Sequence, residues 1–133
     1  MYTKNINYAE RIASITAAII LLQTLYFKFT AAPESVYIFT QLGVEPFGRI
    51  GSGVAELIAG ALLIFRRSSV YGAGLGLGII SGAILSHVFI LGINIQNDGG
   101  YLFFLAVVVF VACAISLYVQ RGTVQSIIAN LRK

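Results

Sequence analysis

Glu56 and His87 set the chemical question, because each is an ionisable side chain inside a long apolar run. Charge in hydrocarbon is costly, so such residues face a protein interior or a wet cavity and find partners there. Lys28 and Gln23 close an earlier apolar run, and Arg49 stands seven residues before Glu56. A carboxylate and an imidazole at one level can relay a proton or hold the polar head of a small molecule such as a quinone. They can also ligate a metal, but a closed site takes three or four ligands, and one His with one Glu falls short. No metal is expected. A purely structural reading stands beside the chemical one: Glu56 pairs with Lys28, Arg49 or His87 to hold helices in register.

Nucleophilic chemistry has little support. Cys113 is the single cysteine, so it forms no internal disulfide and no CxxC redox pair. Its setting, Val111-Ala112-Cys113-Ala114, is that of a buried, inert small residue. Ser86 adjoins His87 in sequence, which on a helix points the two about 100° apart. The many glycines do not make a phosphate loop, since no strand precedes them and no GK[ST] follows.

The elements that must position these side chains follow from composition. Of 133 residues, 58% are hydrophobic and 11% charged, against roughly 25% charged in soluble domains. Apolar residues gather in four runs, about 12–29, 47–65, 69–93 and 101–119. A membrane core needs roughly 20 helical residues per crossing. The runs lack period-two alternation and are too long for barrel strands. The expected fold is all-α: one domain, 1–133, forming a four-helix transmembrane bundle. Its first run follows Lys4 and Arg11 as a signal peptide would, but it leads into Tyr26-Phe27-Lys28-Phe29 without a small-residue cleavage site. It is expected to remain as a helix.

Net charge is +4, yet the basic residues sit at the ends of apolar runs rather than on an aromatic-rich basic face, so nucleic acid is not an expected partner. The bilayer is. With the N-terminus in the cytoplasm, Lys4, Arg11, Arg66, Arg67, Arg121, Arg132 and Lys133 lie inside, seven of the nine basic residues. Lys28 and Arg49 lie outside with Glu34, Glu45 and Asp98. The positive-inside rule therefore puts both termini in the cytoplasm of a bacterial-type inner membrane. Glu56 is then seven residues below Arg49, and His87 seven below Asn94. At 1.5 Å per residue both lie roughly 10 Å beneath the outer boundary.

Smaller features fill in the plan. Pro33 suits a first helical turn and Gly43 the residue past a helix end, and Val36, Phe39 and Leu42 share a face between them. A short interfacial helix at about 33–42 is expected to cap the outer side. The stretch from Asn94 to Gly100 reads as a polar turn, and 120–133 as an amphipathic cytoplasmic tail. Gly74, Gly78 and Gly82 recur every four residues and Ser86 extends the row, with Gly72 and Gly76 flanking it. Such small-residue rows let helices approach closely, and Gly51, Ala55 and Ala59 offer a matching row. The cytoplasmic half reads as nearly bare of polar residues, which counts against a through-channel.

The block Tyr26-Phe27-Lys28-Phe29, then Pro33, Phe39 with Leu42-Gly43, and Gly53-Val54-Ala55-Glu56-Leu57 resembles the DoxX-like family of small four-helix membrane proteins. In that family the first helix ends in an aromatic–Lys pattern and the second carries an in-membrane Glu. The resemblance covers about residues 12 to 120 and carries over Lys28 and Glu56, with His87 a weaker match. It implies a respiratory or redox setting. The paired cysteines of vitamin-K-epoxide-reductase-type enzymes, another four-helix membrane class, are absent. The expected function is an accessory subunit or quinone-binding module of a redox pathway, with a membrane redox partner or a second copy of the chain as company. The alternatives are a component of small-solute or ion transport, and a scaffold with no site of its own. The candidate residues are Glu56, His87, Lys28, Gln23 and Arg49.

Overall fold

The computed structural model describes residues 8–95 and 97–132. Lys4, Gln96 and Lys133, which entered the charge and turn arguments above, lie outside them. Within the described residues the chain is helical and contains no strand. Seven α-helices run α1 Tyr8–Gln23, α2 Leu25–Phe29, α3 Pro33–Gln41, α4 Phe47–Ile64, α5 Ser69–Ser86, α6 Tyr101–Val119 and α7 Arg121–Leu131. A π-helical turn, His87–Leu91, extends α5. Four of these segments are long and apolar enough to cross a membrane: Tyr8–Phe29, Phe47–Ile64, Ser69–Leu91 and Tyr101–Val119.

The long helices pack in a cycle. α1 lies against α4 and α6, and α5 lies against the same two from the other side. Their shared core is small and apolar: Ala17, Leu63, Ala73, Val109 and Cys113 are fully buried in it. Large apolar residues instead point outward, among them Phe47, Phe89, Phe104 and Tyr26. A soluble protein rarely exposes so extensive an apolar surface. Four such helices with that exterior are the marks of an integral membrane protein in contact with lipid.

Local chemistry explains the helix ends. Pro33 opens α3, where its missing N–H would have had no partner. After Leu42, Gly43 takes φ +77°, its N–H bonds the Thr40 carbonyl at 3.0 Å, and the Val44 N–H bonds the Phe39 carbonyl at 3.0 Å. That paired closure needs a left-handed residue, which glycine supplies without strain. The turn before α6 is held by Asp98, whose Oδ1 accepts from the N–H of Ile95 at 3.0 Å and Gly100 at 2.8 Å, and whose Oδ2 accepts from the N–H of Leu102 at 3.2 Å. Desolvation alone would raise this carboxyl, but the backbone donors outweigh it and hold it below its ordinary value.

The first long segment is helical from the first described residue, Tyr8, and Glu10 and Arg11 satisfy each other within α1. Two expectations need correction. The third helical segment ends at Leu91, since Gly92 adopts φ +81° and turns the chain away. The close-packed glycines are also the other row. A Cβ added at Gly74, Gly78 or Gly82 would meet nothing within 4 Å. At Gly72 it would stand 2.7 Å from the Leu63 backbone nitrogen and 2.9 Å from the Ala59 carbonyl oxygen, and at Gly76 it would lie 3.1 Å from the Cys113 sulfur. Of the matching row on α4, Gly51 meets nothing and Ala59 is fully buried. Spacing of four identifies two glycine rows on α5, about 200° apart around the helix, and does not say which one has a neighbour.

Candidate functional site

Glu56 is buried in the middle of α4, with its carboxylate turned toward α1 and α2. Oε1 accepts from the Thr24 hydroxyl at 2.9 Å, and Oε2 forms an ion pair with the Lys28 ammonium. The same Thr24 hydroxyl lies 2.8 Å from the Leu21 carbonyl, so one hydrogen serves two acceptors. Thr24 also sits where α1 gives way to α2, and side-chain bonds of this i−3 kind compete with the helical ladder. The Lys28 ammonium lies 5.6 Å from the centre of the Phe39 ring on α3, which brings the short helix over the pair. A buried carboxylate and ammonium together avoid the cost that either would bear alone.

His87 reaches the same space from the end of α5. It is buried, packs edge-to-face on Phe103 with centroids 5.6 Å apart, and places Nδ1 3.0 Å from the Gly92 carbonyl oxygen. The π turn creates this contact: the Gly92 N–H bonds back to the His87 carbonyl at 2.8 Å, folding the Gly92 carbonyl under the ring. Single π turns inside α-helices recur at functional sites.

Between these groups lies a cavity of about 610 Å³. α1, α4, α5 and α6 form its sides, α3 contributes Glu34, Ser35, Ile38 and Phe39 to its wall, and Leu42 follows just past the end of α3. Apolar residues such as Leu21, Ile80, Leu105 and Val109 form much of the lining, while Lys28, Glu34, Glu56 and His87, with several hydroxyls, supply its polar groups. This size, and an apolar wall broken by a few convergent polar groups, are characteristic of small-molecule pockets.

The five residues singled out by sequence do not all meet. Lys28, Glu56, His87 and Gln23 line the cavity, though Gln23 is exposed and its side chain makes no hydrogen bond among the described residues. His87 is not a hydrogen-bond partner of Glu56. Arg49 is turned elsewhere: its guanidinium bonds both carboxylate oxygens of Glu45, at 2.9 and 3.1 Å, and donates to the Lys28 carbonyl. It clamps the end of α2 to the start of α4 and leaves the Lys28 ammonium to Glu56. Among the described residues no group of three metal-ligating side chains occurs.

A second polar cluster, which the spacing of charges did not suggest, occupies the opposite end of the helices. Glu10 is buried, and its Oε2 accepts from the hydroxyl of Ser14 at 2.5 Å, of Ser116 at 3.2 Å, and from the Gln120 amide at 3.3 Å. Ser69 joins through Gln120, at 3.4 Å. Arg11 pairs with Glu10 at 2.8 Å and donates to the Ile64 carbonyl at 2.9 Å, at the end of α4. This end is therefore not bare of polar residues, as expected above; its polar groups are spent on one another and tie four helices together. The i,i+4 pairs Glu10–Ser14 and Ser116–Gln120 are the sequence signal for it.

Comparison with protein-family models, with curated proteins and with solved structures found no match.

Proposed function

We propose that the chain is a small DoxX-like integral membrane protein that binds a quinone-type amphiphile, as an accessory subunit or binding module of a redox pathway. In this reading the four long helices form a transmembrane bundle with both termini in the cytoplasm, and α3 lies in the outer interface as the cap of the cavity. The observation that carries the proposal is the cavity itself, with the Lys28–Glu56 pair and His87 on its walls. Lys28 and Glu56 are also the two positions that the resemblance carries over.

The lining fits such a group. Lys28 has N–H donors beyond the one given to Glu56 and is placed to bind a ring oxygen. Glu56 holds the ammonium in position and keeps the pair neutral overall. Leu21, Ile80, Leu105 and Val109 exclude water from the ring face and tail. A quinone, when bound, supplies two-electron redox chemistry that no side chain here provides.

The interior favours binding over passage. Ala17, Leu63, Ala73, Val109 and Cys113 lie between the two polar clusters along their helices, and all are fully buried. An ion or polar solute would have no partner across that layer. The test is purification of the full chain in mild detergent from native membranes, followed by mass spectrometry of the bound small molecules. An isoprenoid quinone at near-stoichiometric amount is expected, and its loss in Lys28→Met with the fold retained. Phospholipid alone in the wild type would overturn the reading.

A further inference from the structure

We infer that α7 lies flat on the membrane surface at the Glu10 end of the helices and binds the anionic phospholipid of that leaflet. The inference stands apart from the cavity and its ligand.

α6 reaches across the hydrocarbon by itself, since its 19 residues at 1.5 Å each cover about 30 Å. Tyr118, exposed on the last turn of α6, marks where the apolar layer ends, because tyrosine collects at the boundary between hydrocarbon and water. The chain leaves the helix at Gln120, with φ −97° and ψ 22°, and α7 begins at the next residue. α7 therefore starts at the level of the headgroups.

The residues of α7 suit that level. On a helix, Val124, Ile127, Ile128 and Leu131 fall within an arc of about 100°. Protein leaves this face largely uncovered: α7 buries no residue, and Ile128 is 46% and Leu131 80% exposed. α3, the other short helix outside the long segments, packs against α2, α4 and the π turn. The face of α7 has no such neighbour, and acyl chains beneath the headgroups supply its cover.

Charge selects the lipid. Arg121 and Arg132 are exposed and lie on the same flank of the apolar arc, within about 40° of Ile128. The Arg121 guanidinium sits 4.4 Å from the centre of the Tyr118 ring and donates to the Tyr118 carbonyl at 2.9 Å, which holds it at the boundary with N–H donors left over. No Asp or Glu follows Asp98 in the sequence, so nothing on α7 repels an anionic surface. Basic residues held against such a surface are attracted to it, and a zwitterionic leaflet offers the same apolar layer without the net charge. A second copy of the chain would bring arginine against arginine at this face.

The experiment places an environment-sensitive dye on the full chain, through Ile128→Cys on the apolar face or Ser126→Cys on the opposite one; Cys113 is fully buried and stays unlabelled. The chain is reconstituted in phosphatidylcholine vesicles with or without phosphatidylglycerol, all carrying brominated acyl chains as quencher. In the anionic vesicles the dye at 128 is expected to be dry and strongly quenched, and the dye at 126 wet and unquenched. Without phosphatidylglycerol, or with Arg121→Gln and Arg132→Gln together, the ratio of docked to undocked α7 should fall about thirtyfold, the attraction of two charges to an anionic surface. A dye at 128 as wet as the one at 126 would overturn the inference. Equal quenching in the two lipids would overturn the choice of anionic lipid. A dye that is dry yet unquenched would put a second copy or another protein on the face, and overturns it as well. Every substituted residue is exposed, so the outcome does not depend on a variant failing to fold.

Discussion

At the scale of single residues, the ion pair between Lys28 and Glu56 decides most. Each partner would be costly alone in an apolar setting, and each was legible in sequence as a charge interrupting an apolar run. Their pairing was legible only as one of three choices, because His87 lay at the same depth as Glu56 and Arg49 lay above it on the same helix. Arg49 is diverted by Glu45, four residues earlier on the chain and held at 2.9 Å. His87 is diverted by a carbonyl that a π turn places under it, and nothing in residue types announces that turn except Gly92. Thr24 was missed because a threonine near a helix end is ordinarily silent. The pair predicts a specific non-additivity. Glu56→Leu leaves a buried ammonium without its counter-charge and should cost about 3 kcal/mol, whereas Glu56→Leu with Lys28→Met removes both charges and should recover a large part of that loss. Denaturation of the three proteins in detergent measures it; a double variant as unstable as the sum of the singles would mean that the pair is not coupled.

Among elements, what sequence spacing conveyed well was helix length and helix number, since both follow from how many apolar residues are needed to cross hydrocarbon. It conveyed facing poorly. α5 is apolar all round, so no moment distinguishes its inner side, and only the neighbours select between its two glycine rows. Ala59 and Leu63 on α4 approach Gly72, and Cys113 on α6 approaches Gly76, while the Gly74 row stays open. Gly72→Leu should therefore be strongly destabilising, by about 3 kcal/mol or failure to fold, because the added side chain meets backbone that cannot move aside. Gly78→Leu should change thermal stability by less than about 1 kcal/mol. Thermal unfolding of both in the same detergent settles the comparison. Equal damage from the two would place the Gly74 row in an interface with a second copy of the chain.

For the whole molecule, two buried polar clusters face opposite ends of one apolar core, and their different states suggest different duties. The Glu10 cluster is closed, its acceptors met by Ser14, Ser116, Gln120 and Arg11, so it holds the helices together at that end. The Glu56 cluster borders a cavity, and its Lys28 ammonium has more hydrogens than the ion pair uses, which is the capacity the proposed ligand would draw on. The proposed orientation of this asymmetry in the bilayer is argued from charge. Arg11, Arg66, Arg67 and Arg121 lie at the Glu10 end, which the proposed orientation, argued from the positive-inside rule, puts in the cytoplasm. In that proposed orientation the cavity and α3 would belong to the outer leaflet, where a lipid-soluble ligand would reach them without crossing the core. Reporter fusions after Arg67 and after Lys133 should accordingly be active only as cytoplasmic reporters, and fusions at Gly43 and Asn97 only as external ones. An external signal after Arg67 would invert the molecule, placing the cavity on the cytoplasmic side and the four arginines of the Glu10 end against the charge rule.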